Sequence, residues 1–145
     1  MENFMKDNEA KTYALLRMVT GFLFLFHGLR WWLGWPGGGE PFVGPWHLVY
    51  IGAPILIFGG LFVCIGFFTR WAAFLSSGLM ACAYWGYYGN KAFMVPEGST
   101  DSAVMLMFPY VNKGELSIMF CFAFLFIASR GSGIWSVESA RKNPE

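Results

Sequence analysis

Charge is what this sequence has least of. Only 13% of its 145 residues are Asp, Glu, Lys or Arg, and the formal net charge is +1. So neutral a chain offers nucleic acid no electrostatic footprint, and no RNA- or DNA-binding motif is present. Histidine is limited to His27 and His47, and the cysteines, Cys64, Cys82 and Cys121, include no C-x-x-C pair. The three thiols fall at different depths along separate apolar runs. They are therefore expected to be buried and inert, with no metal site and no covalently held cofactor. The glycine triplet at 37–39 is not a phosphate cradle, because no strand precedes it and no Lys-Ser/Thr follows. Residues 1–11 carry Glu2, Asp7 and Glu9, lack a small-residue cleavage site and lead into an apolar run too long for a signal-peptide core, so the first hydrophobic segment is expected to stay in the mature protein.

Apolar residues dominate instead, with 56% of the chain hydrophobic and 20% aromatic. A soluble domain of this length could not hide that much in one core, so the composition predicts an integral membrane protein. The fold class expected is all-α: a four-helix bundle in one domain spanning 1–145, with membrane spans near 13–33, 48–68, 71–88 and 111–129. Each is close to the length that crosses about 30 Å of hydrocarbon. The connector Thr69-Arg70 is so short that the second and third spans must be antiparallel neighbours. Trp35 to Trp46 holds three prolines and the glycine triplet and cannot be helix. The second long connector, 89–111, contains an apolar patch at 103–108 that suits a short surface helix or a lid.

If four spans alternate, the N-terminal tail, the Thr69-Arg70 turn and the C-terminal tail share one face. That face carries Lys6, Lys11, Arg17, Arg70, Arg130, Arg141 and Lys142, against Arg30, Lys91 and Lys113 on the other. The positive-inside rule then places both termini in the cytoplasm and both long loops outside, in a bacterial inner membrane.

The polar residues inside the spans are the candidate sites. Arg17 lies about a turn inside the first span, with no acid at its depth: either it snorkels, or carbonyls or hydroxyls of neighbouring helices hold it, and the third span near Ser76 and Ser77, the nearest hydroxyls, is the expected place. Arg30, beside Trp31, Trp32 and Trp35, suits an interface belt. Glu115 and Arg130 bracket the fourth span roughly 22 Å apart, too far to pair. His27 and Glu115 come at similar depths on the outer side. One reading makes them a polar clasp that fixes helix register. The other makes them the polar end of a pocket for a quinone head, with Trp46, Tyr84 and Tyr88 as aromatic walls. A bis-histidine haem on His27 and His47 is disfavoured by their different heights.

These residues resemble the DoxX family of small four-helix membrane proteins. The resemblance is carried by LLRMVTGFLFLFHG (15–28), IGFFTRWAAFL (65–75) and NKGELSIMFCFAFLFIASRGSGIWSVE (112–138). Arg17, His27, Gly28, Gly66, Thr69, Arg70, Asn112, Gly114, Glu115, Arg130, Gly131, Gly133, Trp135 and Ser136 fit the family pattern, and Lys113 stands where it has glycine. The outer loops are longer and more aromatic than the family's. The resemblance implies an inner-membrane helical bundle, associated in some members with thiosulfate:quinone oxidoreductase or other membrane redox complexes. The expected function is a small subunit of a membrane oxidoreductase assembly near the quinone pool, with the bilayer and a larger redox complex as partners. A purely structural packing subunit is the second reading. A small-solute transporter is the third, and the scarcity of polar lining argues against it.

Overall fold

The computed structural model describes residues 2–37, 40, 46–88 and 108–142. All regular structure among them is helical. A short α1 (Glu2–Asp7) leads into α2 (Glu9–Leu33), which starts a turn earlier than the apolar pattern alone suggests and is long and apolar enough to cross a membrane. It stops at Gly34, whose left-handed φ of 69° lets its N–H reach the Arg30 carbonyl at 3.0 Å. The next stretch is wound wide: π-helical segments Leu48–Gly52 and Ile55–Gly59 precede α3 (Gly60–Ile65). Pro54 lies between them. It brings no N–H, so the regular i to i−4 ladder cannot run through it and the neighbouring turns widen. After the turn at 66–68 come α4 (Thr69–Ala83) and a third π-helical segment, Tyr84–Tyr88. The short helix α5 (Pro109–Asn112), then α6 (Glu115–Arg130) and α7 (Val137–Lys142), complete the order.

α4 packs along α6, and α2 packs along α3 and the π-helical segment before it. The second contact is backbone on backbone. A Cβ on Gly21 would sit 2.6 Å from the Gly60 carbonyl oxygen, and one on Gly60 would sit 2.5 Å from the Leu25 nitrogen, so only glycine fits on both sides. The core is aromatic where α2 meets α6. Phe24 lies 4.6 Å from Phe124 and 5.4 Å from Phe120, centroid to centroid, with Val63, Ala73 and Ile127 buried around them.

Polar side chains share the interior with this core, and large apolar ones crowd the surface. Arg17, Thr20, Thr69, Ser76, Ser77 and Ser117 are buried, while Leu15, Val19, Phe22, Phe74, Met119 and Phe122 face outward. In water such exteriors would associate, whereas in lipid they are the contact surface. The start of α2, the 66–69 turn and the segment after α6 meet at one end of the helices, through Tyr13 with Gly131 and Thr69 with Glu138. Most of 38–45 and all of 89–107 lie outside the described residues, and with them two of the three glycines at 37–39, the patch at 103–108 except Phe108, and Glu97.

Candidate functional site

The other end of the helices holds a cavity of about 640 Å³, within the range of small-molecule sites. Three of its walls come from the wide-wound backbone: Gly52 and Leu56 from the first two π-helical segments, and Gly86, Tyr87 and Tyr88 from the third. π-helical turns displace side chains from the regular helical face and recur at functional sites. Phe24 and Trp31 of α2 and Phe120 of α6 supply flat apolar surface, and α4 adds Leu79 and Met80. Into this largely apolar space face two imidazoles, His27 from α2 and His47 from the turn before Leu48, together with the buried hydroxyl residue Ser117. The His27 ring lies edge-on to Phe120, 6.1 Å between centroids.

Several candidates from the sequence stand elsewhere. Glu115 begins α6 with an exposed side chain and does not line the cavity, so a His27–Glu115 pair is not the polar end of this space. As the first residue of α6, its carboxylate is at the positive end of a helix dipole, which stabilises it without a buried partner. Trp46 is exposed and stands edge-on to His47 at 5.8 Å, outside the lining. The ring of Tyr84 packs against Gly114 instead of the cavity. Tyr88 does line it. Of the two cavity residues that supplement His27, the sequence offered His47 only as a disfavoured haem ligand. Ser117 went unnoticed because a lone serine in an apolar helix has no pattern around it. Cys82, expected to be buried, is exposed on the cavity side, since the space extends down α4 as far as Leu79.

The opposite end is closed by a polar network. Arg17 is completely buried, and its guanidinium donates to the carbonyls of Ser132, Ile134 (3.2 Å) and Trp135 (2.6 Å). These acceptors replace the hydroxyls of Ser76 and Ser77. Ser77 donates instead to the Cys121 carbonyl at 2.8 Å, tying α4 to α6, and Ser76 packs against Gly59. The physical reason lies in the backbone. The carbonyls of an irregular segment have no i to i−4 partner and can converge on a forked donor, whereas the Ser77 hydroxyl is engaged by the Cys121 carbonyl. Residues 131–135 are turned into that shape by positive φ at Gly131 (91°), Gly133 (63°) and Trp135 (54°). Arg70 donates to the carbonyls of Ala128 (3.2 Å), Ser129 (2.8 Å) and Arg130 (3.4 Å), closing the C-terminus of α6. Arg130 pairs with Glu9 at 2.5 Å and lies over the Tyr13 ring. Glu138 accepts from the Thr69 N–H at 2.9 Å and so caps α4.

The DoxX family model matches residues 12–89, more than half of the chain. An uncharacterized protein of Haemophilus influenzae is 33% identical over 129 residues, which is 87% of either chain. This chain belongs to the DoxX family. No solved structure matches it significantly. For a DoxX chain the geometry explains why the resembling motifs go together. Arg17, in the first half of α2, and the Arg-Gly-x-Gly-x-Trp-Ser stretch at 130–136 are donor and acceptor of one cage. The Asn112-Lys113-Gly114-Glu115 stretch is the turn into α6, with Asn112 Oδ1 accepting from the Gly114 N–H at 2.7 Å and Lys113 at φ 61°. Left-handed backbone favours glycine, the residue that the family pattern places where this chain has lysine.

Proposed function

We propose that this DoxX protein is a four-span subunit of the bacterial inner membrane, with both termini cytoplasmic, serving a membrane oxidoreductase assembly by holding a quinone head in the outer-end cavity. The observation that carries the reading is the meeting of two imidazoles from separate helical stretches in one cavity whose remaining walls are mostly aromatic and aliphatic. Neutral imidazole can donate to a carbonyl oxygen or accept from a hydroxyl, so His27 and His47 suit both the oxidised and the reduced ring. Phe24, Trp31 and Phe120 offer flat surface for the ring itself. A bound quinone would supply two-electron, two-proton redox chemistry to the assembly. The chain's own part is to orient the ring and to move a proton at an imidazole nitrogen. Four crossings are supported by the gathering of the N-terminal helix, the 66–69 turn and the C-terminal segment at one end, where Arg17, Arg70 and Arg130 also lie.

The test is purification from bacterial membranes in mild detergent, followed by extraction and quantification of quinone. Near-stoichiometric quinone in the natural chain, lost in both His27→Gln and His47→Gln, is the expected result. A stoichiometric large partner with no quinone would make the chain a packing subunit instead. Labelling of the C-terminal tail from the periplasmic side would overturn the orientation.

A further inference from the structure

Between α4 and α6, at the end away from the histidines, lies an open groove of about 520 Å³ lined by Phe74, Phe122, Leu125, Phe126, Ala128 and Ser129. Its aromatic floor is unshielded, with Phe122 64% and Phe74 57% exposed. The groove is apolar along its length and cationic at one end only. Arg70 stands one helical turn before Phe74, and its guanidinium bonds the carbonyls of two lining residues, Ala128 and Ser129. Those bonds, with a longer one to the Arg130 carbonyl, come from the two terminal nitrogens and remove none of its formal charge. Arg130 is answered by Glu9, whereas no carboxylate among the described residues pairs with Arg70, whose side chain is exposed. Trp71, beside it, is 70% exposed, as an aromatic anchor at a membrane surface would be.

We infer that the α4–α6 groove binds one anionic phospholipid, its acyl chain along Phe74, Phe122, Leu125 and Phe126 and its phosphate on Arg70. Charge complementarity selects this occupant. A zwitterionic lipid would leave the net charge of Arg70 unanswered, and an apolar partner helix would have no use for a cation at one end of the groove. The inference rests on the membrane-spanning reading and is independent of the quinone.

The full chain, reconstituted in nanodiscs of equal phosphatidylglycerol and phosphatidylcholine and released into a native mass spectrometer, should retain the anionic lipid with a roughly fivefold preference, the effect of one basic group near a membrane surface. Arg70→Gln should bring the ratio close to one, and Arg70→Lys should keep it, because charge selects the headgroup. Arg70 also caps α6, so a second variant guards against a folding defect. Phe122→Ser, on the exposed floor, should lower retention of both lipids without changing the melting temperature. Equal retention of the two lipids by the natural chain, or undiminished retention by Phe122→Ser, overturns the site. An embedded chain with no headgroup preference sinks this inference alone, whereas a chain that takes up neither lipid and stays in the aqueous phase sinks the membrane reading with it.

Discussion

At the end where α2 begins, Arg17 and Arg70 each reach three backbone carbonyls, Arg130 has both a carboxylate and a ring, and Glu138 caps α4 across the 66–69 turn. At the other end the helices widen into π-helical turns, and His27 and His47 face a cavity. One end spends its polar groups on holding the chain together. The other keeps polar groups facing an open space, an arrangement that adds nothing to stability and is therefore suited to a ligand. On the quinone reading, stability and ligand recognition are divided along the helix axes, and substitutions at the two ends should have different signatures.

The largest effect should come from the buried cation. Arg17→Leu removes the common donor of three carbonyls in a place without water, and a loss of about 3–5 kcal/mol is expected in denaturant titrations in detergent. Arg17→Lys should cost less, because one ammonium can satisfy part of the set. An unchanged unfolding midpoint for Arg17→Leu would mean that the cage is not what closes this end. Next in size is the crossing of α2 and α3. Gly21→Leu forces apart two backbones in contact and should lower stability by about 3 kcal/mol, read as an early melting transition. At the cavity end the signature reverses. His27→Gln and His47→Gln should shift stability by no more than about 0.5 kcal/mol. Each should nevertheless weaken quinone retention roughly tenfold, which is about 1.4 kcal/mol and one good hydrogen bond.

Two smaller effects sharpen the boundary between the ends. Lys113→Gly relieves a left-handed lysine and should raise stability by about 0.5–1 kcal/mol, without touching quinone retention. Glu115→Gln should be close to neutral by both measures, since its side chain is exposed and outside the cavity lining. A large loss of quinone in Glu115→Gln would return the carboxylate to the site and dissolve the distinction drawn between it and His47.

The helices were legible because apolar runs and glycine or proline breaks are written in residue types. The need of Arg17 for acceptors was legible too, since an uncompensated cation at that depth demands them. Their identity was not. A sequence displays hydroxyls such as Ser76 and Ser77, but the acceptors used are carbonyls, which every residue carries and only backbone shape exposes. The same limit explains the cavity. Depth along a helix can be counted from the sequence, and by that count Glu115 and His27 are level. Which face of its helix each residue occupies is what excludes one and admits the other, and along 84–88 the π-helical winding shifts those faces by amounts that residue spacing does not reveal. Tyr88 was identified on composition and does face the cavity, whereas Trp46 and Tyr84, identified on the same grounds, do not.

The Arg17 cage joins residues 115–118 positions apart in the chain, and that separation sets an order of events during synthesis. At about 5–20 residues per second, Arg17 leaves the ribosome roughly ten seconds before Ser132, Ile134 and Trp135 exist. Throughout that interval the first helix carries a guanidinium without its final acceptors. The cage that closes this end of the helices can therefore form only when the last turns of the chain arrive.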